Sequence, residues 1–306
     1  MRRFFLLFLL ISSLFLTSGM AKYSQAESQS QDQYALQLQG FAWHLTSLNA
    51  LVVTPSNASW WNPVYLDSTL RAIGQWNDAV ASFALNYSDY AYISSLMIEP
   101  TVSNVTQPDF DVYINWTDSS LSNLSDDIGL SRIFPYVDNV IINCTTILAV
   151  QTNHGQMLDE IDMQNVALHE LGHDFGLGHC NYTGDLMYPS YTVQSPPREV
   201  SSLDVYGVAS VFAWELNASY FFPMSEWLPE NSVILPSNIP YEILPVSAQN
   251  APPQTLADNP VVQELVLMAE ILVHPPVLAV VVVFLVFCIV VGFVVKTKRV
   301  GSKAGS

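Results

Sequence analysis

The sequence predicts an α+β domain followed by a single C-terminal transmembrane helix, and three patterns carry that expectation. Apolar residues recur at intervals of three and four from Leu66 to Phe83, they alternate from Phe110 to Trp116, and 19 uncharged residues run from Val277 to Val295. The first is the period of a half-buried helix and the second that of a strand. The third makes about 28 Å of helix against a hydrocarbon core of about 30 Å. Helices mixed with short strands around one core define the class.

Taken in order, Arg2 and Arg3 precede the apolar run Phe4 to Leu16, and the small residues Gly19 and Ala21 follow it. This reads as a signal peptide over 1–21, with an uncleaved N-terminal anchor as the alternative. Residues 22–35 form a polar leader with no apolar period, so the main domain is expected over 36–215.

Within that domain, Leu66, Leu70, Ile73, Trp76, Val80 and Phe83 predict a helix from Pro63 to Leu85. Strands are expected from Phe110 to Trp116, from Asn139 to Ile147 and, more weakly marked, from Leu130 to Phe134. A second helix is expected over Asp162–Leu177, with Asp162 as its cap and Gly176 and Gly178 at its end. A third follows Pro196-Pro197 over about Leu203–Trp214, capped near Ser201 or Ser202.

Beyond residue 215, prolines interrupt every candidate element. Residues 216–276 therefore read as an extended stalk or loosely appended cover, with a juxtamembrane helix over Val261–Val273 and a packed extension as the competitor. After the span at 277–295, Lys296, Lys298, Arg299 and Lys303 make 296–306 a short basic tail. Positive charge there favours the cytoplasmic side, giving a single-pass cell-membrane protein whose main domain is extracellular.

Charge narrows the function classes. All 27 acidic residues lie between positions 22 and 276, where the only basic ones are Lys22, Arg71, Arg132 and Arg198. Nothing basic is available to neutralise phosphates, which argues against nucleic-acid binding. Eight Asn-x-Ser/Thr sequons, at Asn57, Asn86, Asn104, Asn115, Asn123, Asn143, Asn181 and Asn217, are candidate glycosylation sites. Of the cysteines, Cys288 falls in the apolar span, leaving Cys144 and Cys180 either as an extracellular disulfide or as two buried thiols.

The chemistry concentrates in the run from His169 to His179. His169 and His173 are four apart on the predicted helix, so both imidazoles leave one face, and Glu170 stands between them. A third ligand on the same straight helix would point away. Gly176 allows the chain to turn and return His179 as ligand three. Three histidines with one position left for water is a catalytic zinc arrangement, and Glu170 is placed to accept the proton from that water.

His-Glu-x-x-His followed by Gly176 and His179 resembles the metzincin metallopeptidases, and among them the matrixins. The resemblance, extending from about Phe41 to Trp214, implies a zincin fold with a small twisted sheet, an active-site helix and a C-terminal helix. It also implies a methionine turn, matched by Gly184-Asp185-Leu186-Met187-Tyr188-Pro189, with Met187 beneath the histidines. Pro189 stands where other metzincins have a zinc-reaching tyrosine, so Tyr188 is not assigned as a ligand. Asp204 takes the position of the aspartate that stabilises that turn, Leu130–Phe134 that of the substrate-binding edge strand, and Ser190 and Tyr191 border the pocket for the residue after the cleaved bond. No Pro-Arg-Cys-Gly segment is present, so latency by cysteine coordination is not expected.

Asp159-Glu160-Ile161-Asp162 is a candidate calcium loop in the manner of the family, or simply a solvated acidic stretch. His44 and His154 have no ligand-like spacing. The expected function is zinc-dependent endopeptidase action on extracellular proteins or peptides. The competitors are a zinc-stabilised, non-catalytic surface binder and a structural envelope glycoprotein. A lysine-poor, sequon-rich exported domain resembles proteins of glycosylated prokaryotic, including archaeal, envelopes.

Overall fold

Asn62 opens the first helix by accepting a hydrogen bond from the Val64 N–H, and Pro63 supplies the first helical residue, where a missing N–H costs nothing. Helix α1 then runs from Pro63 to Asn86 and buries Tyr65, Ile73, Trp76, Val80 and Phe83, as the spacing of apolar residues requires. Each such aromatic or aliphatic side chain contributes about 1.5 to 3 kcal/mol on burial. The computed structural model describes residues 34–118, 121, 127–135, 139–217 and 231–252.

The strands are β1 (Ala35–Leu38), β2 (Ser47–Val53), β3 (Met97–Ser103), β4 (Val112–Thr117), β5 (Gly129–Pro135), β6 (Ile141–Ala149), β7 (Leu177–Cys180) and β8 (Ser232–Ile234). The other α-helices are α2 (Glu160–Asp174) and α3 (Ser202–Val211). Five strands form a sheet in the order β3-β2-β4-β6-β5. All neighbours are parallel except β5, which runs antiparallel to β6 at the end of the sheet. On β4, Val112, Ile114 and Trp116 are buried while Tyr113 and Asn115 are only partly covered, the alternation expected of a strand with one core face.

Helices α1 and α2 are joined by one indole. Trp76 is fully buried, its Nε1–H donates to the Leu168 carbonyl at 2.9 Å, and its ring lies 5.1 Å from that of Phe175. Trp43 likewise donates to the Asp174 carbonyl at 2.7 Å. These bonds satisfy buried indoles while holding the middle and the C-terminal end of the helix that carries the histidine motif.

The boundaries of the later helices shift. Helix α2 begins at Glu160 because Asp159, not Asp162, is its cap; the two aspartates form a capping box in which Asp162 reaches back to the Asp159 N–H. Helix α3 is capped at Ser201 as expected but ends at Val211 and gives way to a 3-10 turn over Ala213–Asn217.

A second sheet takes in part of the segment expected as a stalk or cover. Its order is β7-β1-β8, so a strand at the start of the main domain pairs with one from the segment beyond residue 215. Residues 231–252 are a packed strap. Val233, Leu235, Ile239 and Leu244 are buried, Leu244 N donates to Val200 O at 3.0 Å, and Asp78 accepts from Ser247 N and Asn250 Nδ2 at 2.9 and 2.8 Å. The prolines limit the strap to short extended pieces without preventing its burial.

The expected membrane-spanning helix is also corrected. Among the described residues no helix is long and apolar enough to cross a membrane. The 24-residue α1 has the length, but it carries Asp67, Arg71 and Asp78 and buries only one face. The run at 277–295 lies outside the described residues, as do the segments expected to be a signal peptide (1–21), a juxtamembrane helix (261–273) and a basic tail (296–306). The described residues thus give no support to single-pass anchoring or to a cell-membrane location.

Candidate metal centre

Helix α2 presents His169 and His173 one turn apart, and the chain leaves it through Gly176, whose φ of 93° suits a residue without a β-carbon. A β-carbon at Gly176 would also stand 2.8 Å from the Phe41 carbonyl oxygen. The chain then enters β7, which carries His179 back to the other two histidines. One ligand nitrogen from each of the three can be chosen so that all lie within 4.8 Å of one another.

Two of the imidazoles are oriented by carbonyl groups. His169 Nδ1 lies 2.9 Å from Leu186 O, and His173 Nδ1 lies 2.8 Å from Leu177 O. A carbonyl only accepts, so each Nδ1 carries the proton and each Nε2 keeps its lone pair. Gln39 Nε2 shares the Leu177 carbonyl at 2.8 Å. Burial pushes His169 down to about 3 and His173 to about 4, and lowers the more exposed His179 as well. All three are thus neutral at neutral pH, the form that binds a metal. Three neutral imidazole donors with no fourth protein ligand among the described residues fit a catalytic zinc ion.

Glu170 is 6 % exposed, and its carboxyl is pushed up to about 8, first by burial and then by Asp174, with a hydrogen bond from the Ser131 backbone pulling the other way. A β-carbon at Gly129 would stand 2.2 Å from Glu170 Oε1. The start of the edge strand β5 therefore forms the wall against which this carboxyl rests. Asp174 receives Ser131 Oγ and, at 2.6 Å, Thr146 Oγ1, tying α2 to β5 and β6.

Met187 packs beneath the cluster. A β-carbon at Gly172, on the helix between the two histidines, would meet Met187 Sδ at 2.4 Å. The turn holding Met187 is set by Asp185, whose Oδ1 accepts from Met187 N at 3.0 Å and whose Oδ2 accepts from Ser201 Oγ at 2.9 Å. Asp204 Oδ2 accepts from Ser201 N at 2.8 Å, so it supports the turn through Ser201 and Asp185. Burial and the neighbouring Asp185 push the Asp204 carboxyl well above the usual carboxylate range. Arg198 braces the following segment, donating to Leu186 O at 3.2 Å and Ser190 O at 2.9 Å and lying over the Tyr191 ring. Pro189 and Ser190 are exposed next to Tyr191, whose hydroxyl donates to Asp162 at 2.7 Å.

Other expectations resolve differently. Cys144 and Cys180 are both buried free thiols, not a disulfide. Cys144 lies on β6 beside Asp174 and Cys180 on β7 beside Asp185, in two different sheets. The acidic run does not form a calcium site. Asp159 caps α2, Asp162 accepts from Tyr191 and Gln194, and Glu160 pairs with Arg71 at 2.6 Å. Among the described residues the three histidines are the one group of this kind able to hold a metal, and neither His44 nor His154 joins it. Asn57, Asn86, Asn104 and Asn181 are exposed, Asn115 and Asn143 are half-buried in the large sheet, and Asn123 and the Asn217 side chain lie outside the described residues.

Sequence reasoning missed Gly129, Ser131, Asp174 and Tyr241. Asp174 had a signal, since it stands four residues after Glu170 on the same buried helix face. Tyr241, whose hydroxyl donates to Asp185 at 3.1 Å, had none.

The matrixin family model matches residues 75–213. The chain is 37 % identical over 57 residues to Metalloendoproteinase 4-MMP of Arabidopsis thaliana, covering 19 % of this chain and 17 % of that protein. It is 35 % identical over 52 residues to Metalloendoproteinase 2-MMP of the same plant, 17 % of this chain and 14 % of that one. Over 71 residues it is 35 % identical to Interstitial collagenase of Bos taurus, 23 % of this chain and 14 % of that one. The chain thus spans less than a fifth of the length of these relatives, and their plant and animal sources give no support to a prokaryotic or archaeal origin. The histidine geometry and the family match agree that the chain contains a metzincin-type zinc metallopeptidase domain related to the matrixin family.

Proposed function

We propose that the chain is a zinc-dependent endopeptidase that hydrolyses peptide bonds, with His169, His173 and His179 holding the metal and Glu170 as general base. The observation that carries this reading is the buried Glu170 carboxyl, one residue from a metal-binding imidazole and pressed against the edge strand. A binding module that used zinc only for stability would have no use for an acid kept there at the cost of its burial.

Zinc, when bound, supplies positive charge that acidifies water, stabilises negative charge on a carbonyl oxygen and favours the ionised form of Glu170. Glu170 takes the proton of the attacking water and returns it to the departing amine. The Ser131 N–H fixes the carboxylate during both transfers. Strand β5, last in the sheet order, is placed to pair with an extended peptide through its backbone. Such pairing selects unfolded segments over any particular protein.

The test is N-terminal profiling of a denatured peptide library incubated with the zinc-loaded protein. New termini that disappear with a chelator and return with zinc are expected; stoichiometric zinc without cleavage would leave only the non-catalytic binder.

A further inference from the structure

The strap at 231–252 lies beyond the family match, which ends at residue 213, yet it reaches the metal centre by two routes. In the first, β8 pairs with β1 through Ala35–Ile234, Leu36–Val233 and Gln37–Ser232. The other edge of β1 pairs with β7 through Leu36–Cys180 and Leu38–Leu177. The strap and the strand that carries His179 therefore share one partner strand.

The second route runs through side chains. The Tyr241 hydroxyl donates to Asp185 Oδ2 at 3.1 Å, while Asp185 Oδ1 accepts from Met187 N at 3.0 Å. The residue between them, Leu186, offers the carbonyl that orients His169 at 2.9 Å. Asp185 is fully buried, so its carboxylate depends on these few donors. The Tyr241 ring meets Tyr182 and Tyr34 edge-on at 5.4 and 5.3 Å, and those two stack at 4.1 Å, which pins the loop following His179. Hydrogen bonds hold the strap on both sides of Tyr241: Ser202 Oγ donates to Pro240 O at 2.7 Å before it, and Ser202 N donates to Glu242 O and Leu244 N to Val200 O after it.

We infer that residues 231–252 are a working part of the metal centre, with Tyr241 a positioning residue for His169 acting through Asp185 and the Leu186 carbonyl. This rests on the reading of the three histidines as zinc ligands. Loss of a partner next to a metal ligand lowers metal affinity by about 10- to 100-fold. Tyr241 acts one bond further out, so an effect of about threefold to tenfold is expected.

The experiment titrates zinc against a competing chelator at neutral pH with the full chain, Tyr241→Phe and Tyr241→Ala, using Asp78→Ala as the control. Phenylalanine keeps the ring packing and removes only the donor. Asp78→Ala releases the far end of the strap, at Ser247 and Asn250, without touching Asp185. The expected result is zinc affinity weakened about threefold to tenfold by Tyr241→Phe, further by Tyr241→Ala, and less than twofold by Asp78→Ala, whose thermal midpoint alone falls. Unchanged affinity in Tyr241→Phe, or equal weakening in Asp78→Ala, overturns the inference. A wild-type chain that takes up no stoichiometric zinc overturns instead the assignment of the histidines.

Discussion

Glu170 rests against the backbone of Gly129: a β-carbon added at position 129 would lie 2.2 Å from Glu170 Oε1 and 2.7 Å from Cδ. The base and the first residue of the edge strand therefore compete for one volume, and glycine yields it. Gly129→Ala must displace the carboxyl. An error of about 1 Å in a reacting group costs about 100-fold in rate. The expected outcome is a kcat lower by at least about 100-fold with stoichiometric zinc retained. Steady-state kinetics beside metal analysis checks it, and a kcat within threefold of wild type would contradict it.

Gly172 sets two effects against each other. Alanine is favoured over glycine inside a helix by about 1 kcal/mol. The added carbon would stand 2.4 Å from Met187 Sδ and 3.2 Å from Trp76 Cζ2, both side chains fully buried. Overpacking of that kind costs about 1 to 3 kcal/mol. The steric effect wins, so Gly172→Ala is expected to lower the thermal midpoint in calorimetry; a higher midpoint would show that the methionine turn yields freely.

The Asp185–Asp204 pair gives the protein a readable pH dependence. The folded-state carboxyl of Asp204 is raised by burial and by Asp185. Its contribution to stability is present in full below the unfolded value of about 3.9 and is lost as pH rises toward the folded value. Asparagine mimics the protonated form, accepting from Ser201 N and donating toward Asp185. In urea melts from pH 4 to 8, Asp204→Asn is expected to gain stability relative to wild type as pH rises. Parallel pH profiles would contradict a raised Asp204.

What could be read before the structure was what repeats locally. Helix α1 announces itself because Ile73, Trp76, Val80 and Phe83 share one face, and the metal ligands because a helix fixes the spacing of His169 and His173. The cap of α2 was misplaced because Asp159 and Asp162 stand three apart and the capping box uses both. Strand β2 was missed although Leu48, Ala50 and Val52 alternate, since Leu51 is buried too and blurs the period. Strand β3, at the opposite end of the sheet from β5, contains Pro100 and is mostly exposed, so it has little pattern to show. The contacts of β8 and Tyr241 depend on β1 and Asp185, each distant in the chain, and no local period encodes such pairings.

The most direct measurement compares wild type with Glu170→Gln, both zinc-loaded, on one peptide substrate. Glutamine keeps the size and the hydrogen-bonding reach of the side chain but cannot take the proton. General-base catalysis of this kind is worth about 100- to 10,000-fold. The expected result is unchanged zinc stoichiometry with kcat reduced by at least about 100-fold; a zinc-loaded Glu170→Gln chain that turns over at the wild-type rate would contradict the assignment of Glu170 as the base.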